Sequence, residues 1–435
     1  MALPPSVYSP GAGHRPPVLA GRDPLLQHWR LMLNDVGVQG RRRATDLVLT
    51  GARGVGKTAT VSAFSDIARE QHFEVVELQA AAGAGGLVGG LLQLARERID
   101  AEAGPWQRAR RALERLGGAG VTVAGVGANL AVRPPDAQSP REMVPGDLAT
   151  VFTDLAREVR SDHAHGGLMI TVDELQVATA PDLALLAAAL HRLNVNHPDA
   201  VVVFAGTGLP HLSNVLRDAG VTHPDRLFDL REIPLTLQRD DARYAIVEAA
   251  RQVGVSWQPG AVDVILRASR GYPAHLQTFA HATWQCATGV NEITVNDAQV
   301  GVEVGAAEIE RRTLGPRWDR MPDRQIEFLI ALAINGGRAP TATVAATLGR
   351  SQQALSTLRQ DLIDEGDIFV PRRGEVALAL PLLGRYILAR YDEARAAATV
   401  NLLTLEEMSD NNPAVELPSP SQRSIERASD PGIDG

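Results

Sequence analysis

The chain has 435 residues, 45% apolar and 22% charged, with a formal net charge of −8 and one cysteine. The length exceeds a single compact core and predicts two or three domains with tails, of soluble globular composition. The acidity excludes a protein that coats nucleic acid by bulk charge, and one cysteine excludes an internal disulfide or a thiolate zinc cluster.

Residues 1–16 are rich in Pro and Gly and are expected to be disordered or extended. They lack the charged and apolar regions of a secretory signal, and no run reaches the ~18–20 apolar residues of a spanning helix. The expectation is a cytoplasmic protein with no membrane partner. Helical periodicity begins with DPLLQHWRLMLNDV, and Arg41, Arg42 and Arg43 read as a solvated face. A strand DLVLT (46–50), a Gly-rich loop, an amphipathic helix from Lys57 and a strand FEVVEL (73–78) follow. Strand, loop, helix, strand is a βαβ unit with parallel strands.

The stretch of about 80–140 reads as an insertion, with an Arg-rich helix (107–116) and a hairpin-like VTVAGVGANLAV (121–132). Helices are predicted over 147–160 and 181–193. Strands are predicted in GLMITVDELQ (167–176), AVVVFAG (200–206) and REIPLTL (231–237). Nearly continuous apolar strands are those of a parallel sheet covered on both faces. Residues 239–315 read as helical. Within 316–398, three helices precede two β-like runs around Arg372-Arg373-Gly374. The tail, 399–435, has seven acidic and two basic residues and is expected to be disordered.

Gly51-Ala52-Arg53-Gly54-Val55-Gly56-Lys57-Thr58 matches G-x-x-x-x-G-K-[ST], the P-loop, in the required setting of a strand before and a helix after. The glycines let successive N–H groups turn inward as an anion nest, and the helix from Lys57 through Ala59 points its positive end there. Lys57 is the only lysine; every other basic residue among the 43 is an arginine. A compact ammonium on a thin stem reaches between β- and γ-phosphates, where the planar guanidinium does not fit. Thr58 offers a hydroxyl to Mg²⁺. Asp173, ending an apolar strand, is the second metal ligand, and Glu174 is expected to polarise the attacking water. Thr207, at the tip of the next strand, is the candidate γ-phosphate sensor. Arg226, in Pro224-Asp225-Arg226-Leu227-Phe228, is the candidate to reach a neighbouring subunit's phosphate, with Arg231 second.

These parts, in this order over about residues 16–290, resemble the AAA+ ATPases, in particular the initiator-type (origin-recognition-like) branch and the neighbouring STAND NTPases. The resemblance implies an α/β P-loop NTPase core with a parallel sheet sandwiched by helices (17–238), an all-α lid (239–315) and a winged-helix domain (316–398). Pro17-Val18-Leu19-Ala20-Gly21-Arg22 is similar to the segment whose backbone lies against adenine. Pro273, in Arg270-Gly271-Tyr272-Pro273-Ala274-His275-Leu276, is similar to the lid motif that approaches the nucleotide. Initiator-type proteins carry a second sensing arginine where Ala274 or His275 stands here. In the winged-helix unit, 344–348 is expected to be the second helix and 352–364 the recognition helix. Arg350, Arg359, Arg372, Arg373, Gln352 and Gln353 are then available to DNA. Within 321–396, nine arginines face nine acids, and Asp361, Asp364 and Glu365 lie on or beside the recognition helix, so a protein partner stands as the alternative to DNA.

The implied activity is ATP hydrolysis with Mg²⁺, coupling nucleotide state to lid or winged-helix movement or to homo-oligomer assembly. The alternatives are a STAND-like nucleotide switch with little turnover, and a DNA-binding initiator or transposition helper.

Overall fold

Continuous β-hydrogen bonding among apolar runs builds a five-stranded sheet in this computed structural model, which describes residues 3–11, 13–83, 86–101, 111, 144–380 and 382–392. The strands are β1 (Asp46–Thr50), β2 (Phe73–Gln79), β3 (Gly167–Asp173), β4 (Val202–Gly208) and β5 (Phe228–Glu232). They run parallel in the order β2-β3-β4-β1-β5. Such a sheet carries its functional loops at the carboxyl ends of its strands. The ends of β1, β3 and β4 lie side by side, since Leu49 pairs with Thr207 and Val172 with Gly206.

The central strands β1, β3 and β4 are largely apolar because both faces are buried, whereas the edge strands β2 and β5 carry Glu74, Glu77, Asp229 and Arg231, and alternation divides the buried side chains between two cores. Leu47, Leu49, Met169, Val203 and Ala205 face one side, against helices α1 (Asp23–Gln39) and α2 (Lys57–Glu70). Val48, Leu168, Ile170, Val172, Val202 and Phe204 face the other, against α3 (Gly86–Ala101), α4 (Pro145–Asp162) and α5 (Ala180–Asn196). Helix α3 lies inside the stretch read as an insertion, yet Leu87, Val88 and Leu91 are fully buried, so it is a core helix. The hairpin expected at 121–132 lies outside the described residues, as do the tail and all of 107–116 except residue 111.

Strand β5 begins at Phe228, three residues before the expected 231–237. It pairs with β1 from Asp46–Phe228 to Thr50–Glu232. Pro234 has no N–H for the ladder, so the run ends where the expected strand was to begin. Past β4 come two short helices, α6 (Leu212–Asp218) and α7 (Pro224–Leu227), the second carrying Arg226. Arg42 is not part of a solvated face. It is buried, pairs with the buried Asp46 and also reaches Asn194 Oδ1 at 2.7 Å.

Residues 239–309 form α8 (Arg239–Arg251), α9 (Pro259–Ser269), α10 (Pro273–Cys286) and α11 (Val295–Ile309). A two-stranded parallel ribbon, β6 (Ser256–Trp257) with β7 (Glu292–Ile293), joins them where helix alone was expected. Of the two expectations for residues 1–16, disordered or extended, the anchoring of Tyr8 goes against the first. Tyr8 is buried, donates to Ile246 O (2.7 Å), accepts from Trp257 Nε1 (2.9 Å) and meets Trp257 and Trp284 edge-on. An aromatic ring with a satisfied hydroxyl outweighs the flexibility of the surrounding Pro and Gly.

A π-helical turn (Glu310–Leu314) and α12 (Gly315–Trp318) lead into α13 (Asp323–Ile334), β8 (Arg338–Pro340), α14 (Thr341–Thr347), α15 (Ser356–Asp364), β9 (Ile368–Phe369) and β10 (Glu375–Leu378). The three strands form an antiparallel sheet in the order β8-β10-β9, with a helix over 383–392 after it. Helix α15 begins four residues later than expected, because 352–355 form a turn. Among the described residues, no helix is long and apolar enough to cross a membrane.

Candidate nucleotide site

The loop after β1 is shaped by its glycines, with φ of 149° at Gly51, 74° at Gly54 and 93° at Gly56, values that side chains disfavour. Six successive carbonyls of this loop are engaged by donors. Lys57 Nζ donates to Gly51 O (3.0 Å) and Ala52 O (2.9 Å). The Tyr272 hydroxyl donates to Arg53 O, and Ala274 N to Gly54 O at 3.2 Å. Arg22 Nη2 donates to Val55 O (3.0 Å), and Thr60 N to Gly56 O (3.0 Å). Carbonyls held by protein donors aim the peptide dipoles of the loop, which leaves its amides and the first turn of α2, with Ala59, for an anion.

Lys57 is 5% exposed, and burial pushes its ammonium down from the usual lysine range, opposed by Glu174 and Asp173 and aided by Arg53. A buried cation facing two carboxylates is suited to compensate polyphosphate charge.

Across the mouth, Thr58 Oγ1 donates to Asp173 Oδ2 at 2.8 Å, so the two residues read as metal ligands are in contact. Their hard oxygens fit Mg²⁺, which takes one or two protein carboxylates or hydroxyls and fills its octahedron with water and phosphate. Among the described residues, no cluster of three or more His, Cys, Asp or Glu could hold a metal by itself.

Thr207 is fully buried; its hydroxyl donates to Asp173 Oδ1 and accepts from Glu174 N at 3.0 Å. Glu174 has φ 57° and ψ 46°, a left-handed conformation that costs a non-Gly residue about 1–3 kcal/mol and clusters at functional sites. Gln176 donates through Nε2 to Glu174 Oε2 (2.6 Å) and accepts from Leu209 N through Oε1 (3.1 Å).

Lys57, Thr58, Asp173, Glu174 and Thr207 are thus brought together around one mouth. Pro273 begins α10 at its rim, between the two residues that hold Arg53 O and Gly54 O. Arg226 stands apart, exposed on α7, and makes no ion pair with any described residue. Arg231 pairs with Asp229 at 2.8 Å. Arg270 is exposed in a left-handed conformation at the C-terminus of α9. Sequence reasoning missed Arg22, Tyr272 and Gln176 as parts of the site. The sequence placed the first two beside the loop only as members of segments, and Gln176 carried no signal beyond its position two residues after Glu174.

Residues 18–203 match the family model described as AAA ATPase domain, and residues 311–387 match a domain of unknown function, DUF8462. No curated protein matches the chain in sequence. Among solved structures, the chain is similar to the Walker-type ATPase PABY2304 of Pyrococcus abyssi, at 14% identity and TM-score 0.55, covering 88% of this chain and 98% of that one. It is also similar to the ORC2 protein of Aeropyrum pernix, solved as ADPNP–ADP complexes, at 13% identity and TM-score 0.54, covering 89% of this chain and all of that one. The P-loop and the five-stranded parallel sheet lie within the match to the AAA ATPase domain or beside it, and the chain shares the fold of the Walker-type ATPase and of the ORC2 protein.

Proposed function

We propose that the chain binds ATP with Mg²⁺ between the sheet and the lid and hydrolyses it, the energy or the nucleotide state being read by the lid and the C-terminal unit. The observation that carries this reading is the hydrogen-bonded set Thr58–Asp173–Thr207–Glu174 facing a buried Lys57. Lys57 and the loop amides bind the phosphates, and Thr58 and Asp173 hold the metal. Mg²⁺, when bound, offsets charge on the phosphate oxygens. Glu174 orients and polarises water, and Thr207 fixes both acids while reading the γ-phosphate end of the site.

Steady-state ATP hydrolysis by the native chain and by Glu174→Gln tests the reading. The variant is expected to keep ATP binding and lose about 10²-fold or more in kcat, the usual contribution of a general base. Equal rates in the two proteins overturn Glu174's role.

A second reading, a nucleotide switch with little turnover, is favoured by the lid. Ala274 and His275 stand where a second sensing arginine is expected, and the lid already bonds the loop backbone through Tyr272. Negligible native turnover with retained ATP binding would select it. Arg226, exposed and with no ion pair among the described residues, supports a role across a subunit boundary, so native mass is expected to rise with ATP.

We read 316–398 as a winged-helix domain, supported by its helix–strand–helix–helix–strand–strand order and β8-β10-β9 sheet. Its charges favour a protein partner over DNA. Arg338 and Arg372 both pair with Glu375, and Arg350 pairs with Glu327.

A further inference from the structure

Glu174 is tied to the end of β4 by two routes, one direct to Thr207 and one through Gln176 to Leu209. Its N–H donates to the Thr207 hydroxyl at 3.0 Å, and its carboxylate accepts from Gln176 at 2.6 Å. Gln176 in turn accepts from Leu209 N at 3.1 Å. These bonds straddle Gly208, so main chain and side chain of Glu174 both refer to the tip of one strand.

The orientation of the Gln176 amide follows from its partners. A backbone N–H can only donate, so the oxygen faces Leu209 and the NH₂ faces the acceptor-only carboxylate. Gln176 lies in the single 3₁₀ turn Leu175–Val177, closed by Val177 N to Glu174 O at 2.9 Å, so it has little freedom to follow Glu174 elsewhere. An ionised acceptor bonded to a fixed donor makes the stronger, shorter class of hydrogen bond.

We propose that Gln176 is a positioning residue for hydrolysis: it fixes the Glu174 carboxylate relative to Thr207 and the β4 tip, so that the water-polarising group is aligned when that tip is engaged. The proposal rests on Glu174 acting on water, as above. Gln176 touches neither nucleotide nor metal in this scheme. Its loss therefore lowers kcat and leaves ATP affinity intact.

The test is a double-mutant cycle on the full chain. Gln176→Met matches the side chain in size and removes both hydrogen bonds. Gln176→Glu keeps an acceptor for Leu209 N but sets a like charge against Glu174. Each is expected to lower kcat about tenfold or more, with KM and the ADP dissociation constant within twofold of native. In a Glu174→Gln background, Gln176→Met is expected to cause no further loss, because residues that act through one another are not additive. Full kcat in both variants, a rise in kcat, or an undiminished tenfold loss in the Glu174→Gln background overturns the proposal. So does loss of ADP binding in both variants, which would mark Gln176 as part of the loop's framework. Failure of the parent reading is distinct: Glu174→Gln would then turn over as fast as native.

Discussion

The rim of the nucleotide site and the C-terminal three-stranded unit are both rich in charge, yet they treat it differently. In the C-terminal unit, the exposed Arg338 and Arg372 are matched by Glu375, which is buried, and Arg350 by the exposed Glu327. A surface pair such as Arg350–Glu327 contributes little to stability and does not mark a site. At the mouth, polar groups are buried with incomplete or strained partnerships. Lys57 is held among carbonyls, Glu174 sits in a left-handed conformation, and the buried His275 has no partner for Nδ1 among the described residues. Such arrangements cost stability and persist where a ligand or a motion uses them. Charge count is thus a poor guide to function in this chain, and the gathering of Lys57, Asp173, Glu174 and Thr207 at one mouth is a better one.

The strongest way to break the contrast is Lys57→Arg, which keeps the charge and changes only its shape. ATP affinity or turnover is expected to fall about 100-fold or more, read by calorimetry and phosphate release. Full activity in that variant would reduce Lys57 to a generic cation and make the mouth no different from the surface.

The next largest effect is on stability against pH. Burial pushes His275 down to about 4, so the folded protein keeps it neutral while the unfolded chain protonates it near 6.5. Between those values the unfolded state binds more protons, so stability falls as pH drops, by about 3 kcal/mol over the full window. Denaturant titrations at pH 7 and pH 5 read this, and His275→Leu should flatten the slope. An unchanged slope would remove His275 from the account.

Tyr272→Phe sharpens the comparison at the rim by deleting one bond, from the lid hydroxyl to Arg53 O. A single buried hydrogen bond is worth about 1 kcal/mol, so a shift in ATP or ADP affinity of roughly fivefold is expected. The smallest effect is expected in the C-terminal unit. Arg372→Ala with Arg373→Ala should leave ATP turnover within twofold and weaken nothing measurable on duplex DNA at low salt. A salt-dependent affinity that the double variant abolishes would instead establish a phosphate-contacting face there.

How far the sequence could be read depends on the range over which each feature is determined. Lys57, Thr58 and the Asp173-Glu174 pair were legible because a short stretch carries both the chemistry and its setting of strand and helix. Arg42 was not, since it looks like Arg41 and Arg43 until folding brings Asp46 and Asn194 against it. The start of β5 was misplaced because its register is set by pairing with β1. Tyr272 and Arg22 reach the loop only through tertiary packing, the former from 219 residues away. Gln176 is local in sequence, but its meaning lies in Leu209, on another strand's end.

The seat of Tyr8 between Trp257 and Trp284 has a practical side. Pro4 and Ser6 are also bonded to the lid, through Trp284 and His281. Anything appended ahead of these residues, whether an affinity handle or a fluorophore, is therefore carried by the lid. A dye placed there reports on the lid directly, and a bulky fusion there loads the lid rather than the sheet.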